Sequence, residues 1–251
     1  MNERFLGGRG HTMNIFTDHE GFFDSADAFF ANSKHIPFIA ISIGTKAPEL
    51  VKVLDILRWV LKCSYNIIPI LFVDSISTIN YRAFGDSEAR ALKEVEKSKS
   101  KHEIVWREAL LQLTHIEKLR LRFVGWDEIV TPRFIAQQDI IREDFLKKES
   151  LYDIIMPVAE FIITSSGKTN TPERCLKLSE YIVQELPMLL FGIHLDNINY
   201  RMMIYPTYTA TSEMEGLLAA IRGGGRFSTL LDNLRGQNLE YNKLIHMIIG
   251  A

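Results

Sequence analysis

The sequence lacks most of the features that announce a site by themselves. Two of its 251 residues are cysteine, Cys63 and Cys175. They stand in no metal or redox spacing, so a disulfide scaffold is excluded and a reducing cytoplasm is the expected setting. There is no His-x-x-His or Cys-x-x-Cys, and no metal is expected. The formal net charge is −2, so no global field gathers nucleic acid, and any RNA contact must come from a local basic patch. No apolar run reaches membrane-spanning length and the first residues carry no apolar leader core. A cytosolic protein with no membrane partner is expected. There is no Gly-x-Gly-x-x-Gly after the first predicted strand, no Walker loop and no Gly-x-Ser-x-Gly elbow. A nucleotide cofactor has no positive support, and none is expected.

What is present is an ordinary globular composition, 47% hydrophobic and 24% charged, long enough for one large α/β core. Residues 1–12 read as disordered and 13–251 as a single domain. Residues 15–32, rich in phenylalanine, are expected to pack loosely on the core. The run 36–43 is short, apolar and isoleucine-rich, which predicts a buried strand. A helix is predicted from Pro48 to Lys62. A second strand follows at 66–73, where Pro69 points to an edge or irregular position. A polar link, 74–82, leads to a long helix from about Ser87 to Leu113. A strand over Leu119–Trp126, helices over 133–149, 151–164 and Pro172–Leu190, and a strand over 201–206 complete the pattern. The tail reads as a hinge at Gly223-Gly224-Gly225 and an apolar helix over 239–249. One Rossmann-like α/β domain is the simplest architecture, with ligands bound at the carboxyl ends of its parallel strands.

Four signals carry chemistry. Ser42 ends the first strand before Gly44 breaks it. A serine there serves as a nucleophile, a phosphate ligand or, most often, a turn residue. No histidine stands in a triad context, so a serine hydrolase would need the fold to bring His194 or His246 to it. Tyr181 and Glu185 lie one helical turn apart on one face, a cradle suited to a substrate ammonium, or else a solvated or core-edge pair. Tyr205-Pro206 closes a buried strand, where a tyrosine can shuttle a proton or simply cap the core. Arg90, Lys93, Lys97 and Lys101 fall within roughly a quarter of the helical wheel, with Leu92 and Val95 on the other side. Such a stripe suits a phosphate backbone, yet Glu94 borders it, and a plain solvated face is the competing reading.

Together and in this order, these pieces resemble the cyclodipeptide synthases, which make cyclic dipeptides from two aminoacyl-tRNAs. The resemblance spans roughly residues 36–210. The strand ending in Ser42 is similar to the family's nucleophile strand. Tyr81-Arg-Ala-Phe-Gly85 and the basic helix are similar to its Tyr-x-Ala-x-Gly entry to a tRNA-binding helix. Tyr181-x-x-x-Glu185-Leu-Pro187 resembles its Tyr-x-x-x-Glu-x-Pro helix, and Tyr205 its later catalytic tyrosine. Thr45, where one subfamily has asparagine, and the Tyr205-Pro206 pair point to the other subfamily.

The resemblance implies a Rossmann-like parallel sheet flanked by helices, similar to the catalytic domain of class I tyrosyl- and tryptophanyl-tRNA synthetases. It implies Ser42, Tyr181, Glu185 and Tyr205 as catalytic residues and Arg90, Lys93, Lys97 and Lys101 as tRNA contacts. It also implies aminoacyl-tRNAs as substrates, with no cofactor, in a monomer. Phe38 and Ala40 share the Ser42 face by the period of two. Ile70, Phe72, Met188, Leu189, Met203, Pro206 and Thr45 are the further candidates for the amino-acid pocket, an apolar lining suited to small or aliphatic side chains. The rivals are a serine acyl-hydrolase and a non-catalytic Rossmann-like tRNA-binding protein.

Overall fold

The computed structural model describes residues 12–16, 35–44, 46–207, 212–235 and 243–248. Its strands are β1 (Thr12–Phe16), β2 (Ile36–Ser42), β3 (Ile68–Val73), β4 (Leu121–Gly125), β5 (Ile193–Leu195), β6 (Ile198–Thr207) and β7 (Lys243–Ile248). They form one sheet in the order β1-β7-β6-β2-β3-β4, parallel throughout that path, with β5 antiparallel on β6. Helices are α1 (Leu50–Cys63), α2 (Ser77–Ala83), α3 (Glu88–Leu111), α4 (Pro132–Leu146), α5 (Tyr152–Ser165), α6 (Pro172–Phe191), α7 (Ser212–Arg222) and α8 (Ser228–Arg235). Single helical turns stand at His115–Lys118 and Trp126–Ile129. This is a Rossmann-like α/β sandwich.

The chain leaves β2 through β3 to β4 on one side, then returns to lay β6 against the other side of β2. The order therefore reverses between β2 and β6, and in open α/β sheets the ligand crevice lies at that reversal, outside the carboxyl ends of the strands. Here the crevice is visible in the pairing. The β2–β6 ladder ends at Ile39–Ile204, while β2 continues to Ser42 and β6 to Thr207. Beyond Ile39 the two strands are no longer hydrogen-bonded to each other.

Two cores flank the sheet. Phe38, Ala40, Leu71, Val73 and Met203 face one, built with α4, α5 and α6. Ile39, Ile41, Ile70, Phe72, Met202 and Ile204 face the other, against α1 and α3. Both faces are covered, which is why β2 and β3 read as continuous apolar runs rather than alternating ones.

Several expectations change. The link 74–82 contains a helix, α2, which begins as soon as β3 ends: the Ser77 hydroxyl donates to the Val73 carbonyl at 2.6 Å. Pro69 sits in an interior strand, between β2 and β4. It is tolerated because the β2–β3 ladder starts one residue later, at Ile39–Ile70, so no inter-strand bond is asked of its missing N–H. Residues 243–248 form strand β7, not a helix. Leu244, Ile245, Met247 and Ile248 fit either period, and insertion between β6 and β1 decided the matter. The Gly223–Gly225 stretch separates two helices that the sequence reading did not propose, α7 and α8. Residues 1–11 and 17–34 lie outside the described residues; Thr12–Phe16 joins the sheet as a strand.

Candidate active site

Four side chains singled out by sequence meet at the crevice. Ser42 ends β2, Tyr205 lies near the end of β6, and Tyr181 and Glu185 come from the middle of α6. Tyr181 is hydrogen-bonded to Ser42, Asn80 and Glu185, and Ser42 is also hydrogen-bonded to Tyr205. Ser42 is 9% exposed, Tyr181 7% and Glu185 3%; Tyr205 is only partly buried as a residue.

Local structure explains the meeting. Pro187 lies inside α6 and has no N–H for the Val183 carbonyl, so the helix is loosened beside Glu185. Gln138 of α4, itself buried, supports the same turn by donating to the Gln184 carbonyl at 3.0 Å. The helix stops at Gly192, whose φ is +77°; a Cβ there would come 2.0 Å from the Tyr200 carbonyl oxygen. Only glycine lets α6 turn so tightly into the β5–β6 hairpin. On the other side α2 packs against α6 and brings Asn80 to Tyr181. Gly44 is exposed, and a Cβ there would lie 3.8 Å from the Ser42 hydroxyl oxygen; without one, that approach stays open.

A proton count gives the cluster a direction. Each hydroxyl carries one proton, while an ionised carboxylate only accepts. Tyr181 therefore donates to Glu185. Its oxygen must then accept from Ser42 and from the Asn80 amide, which fills both lone pairs. Ser42 has spent its proton on Tyr181, so Tyr205 donates to Ser42. The order runs Tyr205 to Ser42 to Tyr181 to Glu185.

The electrostatics fit a dry site. Burial pushes the Glu185 carboxyl up to about 7, against the opposing bond from Tyr181. Burial first, then the nearby Glu185 and Tyr205, holds the Tyr181 phenol well above its ordinary range, with Asn80 and Ser42 opposing. Burial and then Glu185 raise Tyr205, with Ser42 opposing. A carboxyl raised to about 7 and linked to the serine hydroxyl through Tyr181 suits proton chemistry at neutral pH.

Below Ser42 the lining is apolar. Phe38, Ala40, Met188, Leu189 and Met203 are buried on the same side of the sheet as Ser42. Ile70 and Phe72 are not. They face the opposite core, where Phe72 stacks on Phe123 at 5.6 Å. Parallel register pairs Ala40 with Leu71 and Ser42 with Val73, so Leu71 and Val73 are the β3 residues on the Ser42 side. Pro206 alternates with Tyr205 and takes the side of Ile204, away from the cluster. Thr45 lies outside the described residues.

The basic helix α3 crosses close by. The Ser98 hydroxyl donates to the Ile43 carbonyl at the end of β2, and Lys99 holds Asp74 at the end of β3 at 2.7 Å. Burial pushes the Asp74 carboxyl up, but Lys99 and the N–H groups of Trp126 and Ser75 outweigh it and the net effect is downward. The Tyr81 phenol, raised chiefly by burial, is hydrogen-bonded to Ser98. Arg90, Lys93, Lys97 and Lys101 are all exposed. Arg90 pairs with Asp86 at 3.1 Å and Lys97 with Glu94 at 3.6 Å. Leu92, expected on the apolar side, is exposed; Ala91, Val95, His102, Trp106 and Ala109 are the buried residues of α3.

His194 is remote from Ser42. It pairs with Asn199 at the opposite end of the sheet, near the level where Ile36 begins β2. The length of β2 separates the two, roughly 20 Å at ~3.3 Å per residue. The His246 backbone is in register with Tyr205, and its side chain lies outside the described part. Sequence reasoning missed Asn80, Ser98, Lys99 and Asp74; the Asp that ends a predicted strand was the one visible hint. Among the described residues no group of His, Cys, Asp or Glu could hold a metal ion, and no helix is long and apolar enough to cross a membrane.

No family model and no curated protein matches the chain by sequence. Solved structures do match by fold. A cyclodipeptide synthase from Streptomyces noursei has a TM-score of 0.54 at 17% identity, over 73% of this chain and 86% of that one. One from Staphylococcus haemolyticus has a TM-score of 0.60 at 16% identity, over 87% and 91%. A Mycobacterium tuberculosis protein, described as demonstrating that cyclodipeptide synthetases are related to type I tRNA synthetases, has a TM-score of 0.54 at 14% identity, over 72% and 77%. At these identities the likeness is one of fold.

Proposed function

We propose that the protein is a tRNA-dependent cyclodipeptide synthase of the subfamily with proline after the last catalytic tyrosine. The observation that carries this reading is the hydrogen-bonded cluster of Ser42, Tyr181, Glu185 and Tyr205 at the switch point of the sheet. The fold shared with solved cyclodipeptide synthases supports it, as does the exposed basic face of α3 beside the crevice.

In this reading the first aminoacyl-tRNA places its amino-acid side chain among Phe38, Ala40, Met188, Leu189 and Met203, and its ammonium at Tyr181 and Glu185. Ser42 Oγ attacks the ester carbonyl, and backbone amides of the Gly44 turn are the candidate oxyanion donors. The Ser42–acyl bond forms, the bond to the tRNA 3′-oxygen breaks, and the serine proton ends on the departing hydroxyl. One hard step becomes two easier ones. The amine of a second aminoacyl-tRNA then takes the acyl group from Ser42, giving a dipeptidyl ester. Its free amine closes on that ester and releases a diketopiperazine and tRNA. Tyr205, donating to Ser42, orients the nucleophile. The activated ester supplies the driving force, so no ATP site is needed. The tRNA phosphates are met by Arg90, Lys93, Lys97 and Lys101.

The test is expression in a bacterium with mass spectrometry of the medium. Cyclic dipeptides are expected from the wild type and none from Ser42→Ala. No product, or product unchanged by the substitution, contradicts the reading.

A further inference from the structure

Two buried oxygens in the crevice have no hydrogen-bond partner, Asn80 Oδ1 and Glu185 Oε1. Among the described residues they are the only side-chain oxygens of this kind. Both belong to residues hydrogen-bonded to Tyr181. Buried acceptors in folded proteins nearly always have a donor, whether protein, ordered water or a bound ligand, so these two are open to a donor that a substrate brings.

The orientation of Asn80 follows from the proton count. With Glu185 ionised, as ammonium binding requires, the single Tyr181 proton goes to Glu185, so Asn80 meets the Tyr181 oxygen through its NH2 group. Its carbonyl oxygen is then left over. Asn80 is held there by the packing of α2 on α6. The Ser77 hydroxyl fixes the start of the same helix to β3.

We infer that Asn80 is a substrate-binding residue that accepts a hydrogen bond from the ammonium group of the first aminoacyl-tRNA, alongside Glu185. An ammonium brings donors and no acceptor, so it can satisfy both orphan oxygens at once. A neutral amide beside one carboxylate positions the cation without burying a second negative charge. The site then demands a free ammonium, and it selects against acyl-tRNAs whose α-nitrogen is blocked or missing. This rests on the synthase reading above.

The experiment compares two acyl-tRNAs on one protein preparation. Bulk tRNA is charged with radiolabelled amino acids, and half is deaminated with nitrous acid to the α-hydroxyacyl form. Label retained on the protein gives the acylation rate for each. The wild type is expected to prefer the aminoacyl form, and Asn80→Leu to lower that preference about 10- to 100-fold, the effect of losing one hydrogen bond to a charged group. The rate with hydroxyacyl-tRNA should change much less. Because the preference is a ratio on one preparation, partial misfolding cancels, and the milder Asn80→Ser checks the same ratio. If both substrates slow equally, Asn80 is merely structural and the inference falls while the synthase reading stands. If the wild type takes label from neither, the synthase reading falls and takes the inference with it.

Discussion

The two ends of β6 both carry polar side chains, and they are built on opposite terms. At the carboxyl end Tyr205, partly buried, joins the buried Ser42, Tyr181 and Glu185, with a carboxyl lifted to about 7 by burial. At the amino end His194, Asn199 and Arg201 line a hollow with Arg133 and Gln137. There His194 Nδ1 lies 3.0 Å from Asn199 Oδ1 on an exposed surface. The second region holds the histidine that a hydrolase would need, but no serine or cysteine lines it. The first holds Ser42, the proposed nucleophile, and it keeps a destabilising carboxyl. Lifting Glu185 from 4.5 to about 7 corresponds to ~3 kcal/mol lost at high pH. A fold retains such a group where it has a use, and this is the argument for proposing function at the buried end rather than the solvated one.

The sharpest way to break this contrast is to disarm each end in turn. Ser42→Ala should abolish cyclic dipeptide formation, and His194→Ala should leave it within about twofold, since solvated surface positions tolerate change. A large loss from His194→Ala would put chemistry at the wrong end.

Glu185→Gln separates function from stability. Losing the charge that faces the ammonium should lower kcat/KM about 10- to 100-fold. The stability effect has the opposite sign. Burial favours the protonated carboxyl in the folded state, so its contribution is complete below about 4.5 and lost as pH rises through about 7. Glu185→Gln should therefore melt higher than the wild type at pH 8, with little difference at pH 4.5. A lower melting temperature at pH 8 would mean the carboxylate is stabilised in the fold.

Activity should follow the same group. The acylation rate at low substrate should rise through about pH 7 as Glu185 ionises, then fall as the substrate amine, near 7.7–8.0 in its ordinary state, loses its proton. The rising limb should vanish in Glu185→Gln. A profile flat from pH 6 to 8 would take Glu185 out of substrate binding.

A smaller and more graded effect is expected at α3. Replacing Arg90, Lys93, Lys97 and Lys101 with alanine should weaken tRNA use and flatten its dependence on salt. Two of the four are already paired with acids, Arg90 with Asp86 just before the helix and Lys97 with Glu94 on it, so the loss per residue should be modest. Unchanged activity and salt slope would remove the stripe from the binding surface.

The candidate cluster was legible because its residues sit at marked places: a serine at a strand end, a tyrosine and glutamate one turn apart before a proline, and a tyrosine before a proline near a strand end. Its surroundings were less so. Ile70 and Phe72 were assigned to the pocket because β3 is apolar at every position, and a strand buried on both faces gives no phase. Only the Ser42–Val73 register shows which of its side chains share the crevice. Asn80 was invisible for a different reason. It lies in a polar stretch without hydrophobic period, where α2 is stabilised by Ser77 and by packing on α6 rather than by an apolar stripe of its own. The helix expected over 239–249 gives way to strand β7 at Lys243–Ile248, where the apolar residues fit either period.

The most direct measurement is to mix the protein with charged tRNA, quench in acid, digest, and weigh the peptides. The expected result is one aminoacyl adduct on the peptide carrying Ser42, absent from Ser42→Ala and present in His194→Ala. An adduct on another residue, an adduct that survives Ser42→Ala, or no adduct with any charged tRNA would contradict the assignment of Ser42 as the nucleophile.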